Sequence, residues 1–501
     1  MRLLRRLIIV TICLSGVLCA VAQSAKQYNV QDFGAVADGK FMNTRTIQYA
    51  IDYVSAHGGG ELLFTPGRYL CGSIYLKSNV TLNLQLGATL LGSTNPLDYV
   101  KEPRMKWTAF VMAVDQENIG VIGEGTITCQ GFTTAYNLVD LVNRGAFADG
   151  MKYDRPTEAS RPSNIYFREC TGVTVTGVTL RDPASWNQIY DQCKNVYVDR
   201  VKVYATSYWN NDGIDIVDCD GVKITNCFFD AADDVICFKS HSKDHICQNI
   251  VVDNCTGRSS ANGVKFGTVS CGGFKNVKLT NITIYDTYRS AVTLAAVDGA
   301  EVDGFEIDGL RSINTGNVIY LRTGHRRNLE KQSSMKNIVI RNVYAEVPAD
   351  KPDAGYMYEG PVEDLPRNIS PSGIVGQPDI PIENVLLANI EIVMPGGGTS
   401  FYAYQGTAPD ELEAIPEQPA KYPEFSQFKE LPAWGFYVRH ANNLVMRNVN
   451  IKALQGDYRP AIVMDDVHGA SLQLKIEEPA SDGKEQVITN KVSDCSVDVT
   501  K

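Results

Sequence analysis

Apolar and polar positions alternate in a short motif that returns throughout the chain. It reads Gly172-VTVTGVTL, then Asn195-VYVDRVKV, Gly221-VKITNCFF, Asn249-IVVDNCTG, Asn276-VKLTNITI and Ala300-EVDGFEID. It comes back as Asn337-IVIRNVYA, Asn384-VLLANIEI and Asn443-LVMRNVNI. Such alternation marks a strand with one buried face. A Gly or Asn opens most units, which suits a turn residue at positive φ. The first six units start 23, 26, 28, 27 and 24 residues apart. A repeat of that length predicts an all-β solenoid, a single-stranded right-handed parallel β-helix, in which each coil buries its apolar side by stacking on the next. A leucine-rich repeat would show a regular Leu consensus, and a propeller would need longer, more even blades. Later spacings of 37, 47 and 59 mark insertions between coils. Residues 346–383 and 394–434, rich in Pro, Gly and acids, are read as long loops over one face.

The N-terminal part departs from the repeat. Thr46 to Ala56 carries Ile47, Ala50, Ile51 and Val54 at the spacing of one helix face. Asn43 or Thr44 is placed to cap this helix, and Gly58-Gly59-Gly60 ends it. It would cover the open end of the solenoid, whose bare sheet edge invites aggregation. Further upstream, Arg2, Arg5 and Arg6 precede an apolar run from Leu7 to Val21 and the small-x-small triplet Ala20-Val21-Ala22. This predicts a cleaved signal peptide over residues 1–22, a β-helix domain over residues 23–501, and a secreted or periplasmic protein. Cys19 leaves a lipoprotein reading open, with Leu18 a poor residue before it. No later stretch is long and apolar enough to span a bilayer.

Composition narrows the partners. With 44% hydrophobic and 21% charged residues the chain is that of a folded protein. Its net charge of −10, or −13 without the three signal arginines, excludes bulk-charge binding to nucleic acid or anionic membrane. A local basic cluster for an acidic sugar stays open. Eleven of the 13 cysteines lie beyond the signal, none in a CxxC zinc spacing. Cys227 and Cys255 each follow an Asn in successive repeats, so they are expected to stack in the core, with disulfide pairing undecided.

Three segments about one coil apart carry the candidate chemistry. They are Asn210-Asn211-Asp212-Gly213-Ile214-Asp215, Asp233-Asp234-Val235-Ile236-Cys237-Phe238-Lys239 and Ala261-Asn262-Gly263-Val264-Lys265-Phe266-Gly267. Aligned on their apolar residues, Ile214, Ile236 and Val264 form one inward rung, and Ile216, Phe238 and Phe266 the next. Asp212 then lies beside Asp234, Asn262 one rung further, and Asp233 adjacent, on strands ~4.8 Å apart. Carboxylates so close push some pKa values up and hold others down. Glycoside hydrolysis uses that split: a protonated acid for the leaving oxygen and an ionised base for water. Turn-forming Asp and Asn, and a calcium site, are the other readings of the same residues.

With these residues in place, the chain resembles glycoside hydrolase family 28, the polygalacturonases and rhamnogalacturonan hydrolases. YNVQDFGAVADG from Tyr28, GGELLFTPGRYL after Gly58 and VTLNLQLGATLLGS after Asn79 are similar to the family's N-terminal part, and Asn210–Gly213 and Asp233–Asp234 match two of its catalytic motifs. The resemblance implies a pectin-lyase-like solenoid and an inverting hydrolase of pectic polysaccharide that needs no cofactor and no metal. It implies Asp233 as general acid, Asp212 and Asp234 positioning and deprotonating water, and Asn210 shaping the site. Two departures stand out. Ala261-Asn262-Gly263 replaces the usual Gly-His-Gly, and Thr293-Leu294-Ala295 the usual Arg-Ile-Lys. They move the expected substrate away from plain polygalacturonan, towards rhamnogalacturonan or exo-acting removal of a terminal sugar.

A substrate carboxylate would still need a cation. Lys265 points outward one coil before Thr293 and is the candidate replacement. Lys239, Arg289, Arg322, His325 and Arg326 are further substrate-binding candidates, each weighed against an ordinary surface charge. Asn262 joins them beside the carboxylates. Trp186, Tyr208 and Trp209 precede the Asp212 strand and are candidates for stacking on sugar or for core packing. Trp434, Tyr437, Arg439 and His440 either wall a subsite or pin the last long loop. The expected partner is an acidic plant cell-wall polysaccharide or its oligosaccharides, bound by a monomer. A polysaccharide lyase using calcium, with Lys265 as base, and a non-catalytic binding solenoid are the rival functions.

Overall fold

The computed structural model describes residues 26–327, 330–353, 355–358, 368–403, 405–479 and 483–500. The expected signal peptide lies outside the described residues. The alternating motifs form strands, and each pairs in parallel with the strand one coil further on. One ladder runs Val196, Val222, Ile250, Val277 and Phe305. A second runs Leu180, Val203, Phe229 and Gly257. The third carries the candidate site. Its strands are β1 (Gln188–Asp191), β2 (Ile214–Val217), β3 (Ile236–Ser240) and β4 (Val264–Ser270). It continues through the ends of β5 (Gly273–Ala296) and β6 (Glu301–Thr323), then β7 (Ser372–Val375), β8 (Phe436–Ala453) and β9 (Ile462–Glu477). Consecutive coils with parallel pairing on each face make a parallel β-helix.

The turns explain the asparagines. Asn249, Asn276, Asn337, Asn384 and Asn443 all have φ between 52° and 60°. That region costs an L-residue about 1–2 kcal/mol. Side-chain amides stacked between coils offset it: Asn276 donates to Asn249 at 2.7 Å, Asn384 to Asn337 and Asn443 to Asn384 at 3.0 Å. A second column five residues on behaves alike, with Asn389 donating to Asn342 at 3.1 Å and Asn448 to Asn389 at 3.0 Å.

The inward side chains form one continuous core from Val30 to Ile476. Phe238 and Phe266 stack in it with ring centroids 4.4 Å apart. Cys227 and Cys255 lie in this core, and the eleven described cysteines are all free thiols. The N-terminal end is covered by α1 (Thr44–Ala56), whose Ile47, Ala50, Ile51 and Val54 are buried. It starts two residues earlier than the apolar spacing implies. Neither candidate side chain caps it: the Asn43 amide bonds the backbone of Val36 and Phe41, and the Thr44 hydroxyl accepts from the Gly72 amide. The segment 346–383 is not loop throughout, because β7 rejoins the third ladder within it, with Gly373 beside Tyr320.

Candidate active site

The aligned register holds. Ile214, Ile236 and Val264 are lateral neighbours, as are Ile216, Phe238 and Phe266. Gly213 sets the turn before β2. A Cβ there would lie 2.4 Å from the Val235 carbonyl oxygen and 2.8 Å from the Phe229 ring, so only glycine lets these coils close. Asp212 and Asp234 are each 2% exposed at the entry to this ladder, and the half-buried Asp233 stands next to them. Asn262 donates its amide to Asp234 at 2.8 Å, and Thr293 donates its hydroxyl to Asn262 at 3.0 Å. Two departures from the family pattern thus meet in one neutral relay that ends on Asp234.

Both lysines point outward and find carboxylates. Lys265 Nζ lies 3.0 Å from Asp234 and 2.9 Å from the Tyr422 hydroxyl. Lys239 Nζ lies 2.9 Å from Asp215, 3.4 Å from Asp212 and 4.2 Å from the centre of the Trp186 ring. Asp215, which the motif comparison passes over, is therefore a fourth buried carboxylate of the cluster. It shares the outward parity of Lys265, and parity alone could have flagged it.

The carboxyl groups are driven apart in proton affinity. Burial raises Asp233, and the neighbouring Asp234 charge adds to that against the pull of Lys265 and Arg289. Burial also pushes Asp234 up, but the ammonium groups of Lys265 and Lys239 and the Asn262 amide outweigh it and hold Asp234 at about 2. Burial and the charges of Asp215 and Asp233 put Asp212 well above the usual carboxylate range. Asp215 is raised by burial to about 7, with Lys239 opposing. Asp212, Asp234 and Cys237 place possible metal-binding atoms within 4.8 Å of one another. Lys239 Nζ sits 2.8 Å from the Cys237 sulfur, so an ammonium already shares that space.

Beside this cluster opens a cavity of about 800 Å³. Asp233 is the carboxylate of the three that lines it. Arg289 lines it too, with Glu424 at 2.6 Å, as do Trp209, Asn210, Tyr356 and Tyr358. The two long insertions supply much of the wall: Tyr356 to Tyr358 come from one, and Tyr422, Glu424 and Gln427 from the other. Other predicted residues lie elsewhere. Arg322 is buried, donating to the carbonyls of Glu417 and Gln418. His325 pairs with Asp379 at 2.9 Å, and Arg326 binds Asp298 at 2.8 Å through both Nε and Nη2. Arg439 and His440 both reach Glu417, so the Trp434–His440 segment pins its loop. Tyr208 is buried against Tyr358.

One column of outward side chains in this ladder summarises the site. It runs Tyr75, Met112, Tyr166, Ile189, Asp215, Cys237, Lys265, Thr293, Tyr320, Gly373, Tyr437 and Val463. Charged side chains occur only in its middle. Towards the N-terminus, Met105 and Trp107 cover Met112, Tyr166, Ile189 and Val217. Towards the C-terminus, Leu412, Ile415, Phe425, Phe428 and Leu431 cover Tyr320, Tyr437 and Val463. The outward face of the ladder is thus covered by apolar side chains on both sides of its charged middle.

The chain is similar to known proteins. Residues 64–290 match the model of glycosyl hydrolases family 28. An exo-poly-alpha-D-galacturonosidase of Dickeya chrysanthemi is 26% identical over 55% of this chain and 53% of its own length. The chain spans about half the length of the curated relatives it matches. A protein of Parabacteroides merdae ATCC 43184, provisionally assigned as a glycosyl hydrolase, is 33% identical over 47% of this chain and 95% of its own, with a TM-score of 0.39. The family 28 exopolygalacturonase of Yersinia enterocolitica shares the fold at a TM-score of 0.60 and 18% identity, over 95% of this chain and 79% of its own. The stretch that matches the family 28 model contains both the Asn210–Gly213 and the Asp233–Asp234 motifs.

Proposed function

We propose that the protein is an inverting glycoside hydrolase that removes sugars from the ends of galacturonan-type pectic chains. The observation that carries the reading is a pair of neighbouring carboxyls in opposed surroundings, Asp233 facing the cleft and Asp234 buried against Lys265 and Asn262. Asp233 is raised and open to the cleft, while Asp234 is held ionised at about 2. Asp233 donates its proton to the leaving glycosidic oxygen. Asp234 takes a proton from the attacking water, and Asp212 helps to position that water. Lys265 and Lys239 keep Asp234 charged and in place. Asn210 shapes the cleft beside Asp233. The exo-galacturonosidase and polygalacturonase relatives support the pectic substrate, and the apolar cover on both sides of the charged middle of the ladder supports exo action.

The substrate thus belongs to the plant cell wall, and the protein works outside the cytoplasm after losing residues 1–22. No described helix is long and apolar enough to cross a membrane. The test is product analysis on polygalacturonan, rhamnogalacturonan and their oligosaccharides, with wild type and Asp233→Asn side by side and the fresh anomer read by NMR. Inverted sugar released by wild type alone supports the reading. No release from any pectic substrate overturns it.

A further inference from the structure

Two guanidinium groups line the cleft, those of Arg155 and Arg289, and their surroundings differ. Arg289 is neutralised by Glu424 at 2.6 Å. The lysines beneath are likewise taken up by Asp234, Asp215 and Asp212. Arg155 has no carboxylate partner among the described residues. Its Nη2 donates to the neutral Asn210 Oδ1 at 2.6 Å, and its guanidinium lies 4.9 Å from the centre of the Trp209 ring.

Arg155 is also held in place. It closes a tight turn against Lys152, with Tyr153 and Asp154 at φ 52° and 53°. The Tyr208 hydroxyl donates to the Asp154 carbonyl at 2.6 Å and ties that turn to the solenoid. Asn210 Oδ1 also accepts from the fully buried Arg161 at 2.8 Å, which fixes the amide that Arg155 bonds. A guanidinium offers five donors, and one here is used on Asn210. The remaining edge is exposed, beside an aromatic ring suited to lie against a sugar.

We propose that Arg155 is the specificity-determining residue of the cleft: it grips the carboxylate of a bound uronic acid while Trp209 packs against that sugar ring. This rests on the reading that the cleft takes a pectic chain, and it names the charged form of the sugar as the ligand. A planar guanidinium binds a carboxylate through two parallel N–H donors, which a methyl ester accepts far more weakly. Arg155 thus does the work expected of the family's missing cation, from a turn instead of a solenoid strand.

The experiment is calorimetric titration of trigalacturonate and its methyl ester into the Asp233→Asn protein, which should bind without turnover. The free acid should bind about tenfold or more tighter than the ester, the size of a charge-assisted pair. Adding Arg155→Gln should erase that preference and leave ester affinity within about twofold, while Arg155→Lys restores part of it. A preference that survives Arg155→Gln, or an equal loss for acid and ester, overturns the proposal. Hydrolysis by the wild type is scored separately. An Arg155-dependent preference in a protein that cleaves neither ligand would sink the hydrolase reading and leave the uronate grip standing.

Discussion

Asp233 and Asp234 are adjacent in the chain, yet burial raises one and two ammonium groups lower the other. Replacing Asp233 by Asn keeps its shape and removes the proposed proton donor. Initial rates should show kcat lowered about 10²–10⁴-fold with KM little changed, the range for a lost general acid. Lys265 offers a sharper check. It is the strongest attraction holding Asp234 ionised, so Lys265→Met should let that carboxyl rise from about 2. The base must be ionised to act, so the acid limb of kcat/KM against pH should move to higher pH. A limb that stays put would place the base elsewhere. The same change leaves a buried carboxylate short of its partner and should cost about 3–5 kcal/mol of stability by denaturant unfolding.

The strands carry the site as a consequence of their parity. A slip of one residue would turn Ile214 and Ile236 outward and drag the whole inner face into solvent, so apolar alternation fixes which side chains are neighbours. That is why the Asp212–Asp234–Asn262 neighbourhood was legible from the chain, and why Lys239 and Lys265 could be placed facing out. Parity does not say what an outward side chain meets. Arg322 has the same outward sense as Lys239, but loop carbonyls cover it. Arg155 and Glu424 lie in loops with no period to read, and their contacts depend on the path of each loop across the face. The turns set a further limit. Gly213→Ala would press a methyl against the Val235 carbonyl and the Phe229 ring, both rigidly held. It should cost about 1–3 kcal/mol in a denaturant titration, the range for overpacking, and depress activity along with it.

Across the whole molecule, the 100–108 segment and the second insertion cover the outward sheet face on either side of its charged middle, and both insertions contribute to the cavity beside it. The proposed action from chain ends has a consequence in bulk solution. Viscosity of a polygalacturonan solution should therefore fall slowly relative to the reducing ends released, and fragments of intermediate length should not accumulate early. A rapid drop in viscosity would mean that internal bonds are cut and would overturn the exo reading.

The free thiols have one more consequence. Ten of them, from Cys71 to Cys271, are buried along the N-terminal half of the solenoid, while Cys495 is exposed on the last strand. They form a series of probes spaced along the axis, each reactive only when its own coil opens. A thiol reagent should modify Cys495 at once. It should then reach the others in an order that shows from which end the coils unzip, without a label or cofactor being added to the protein. A reducing agent should meanwhile leave the thermal midpoint unchanged.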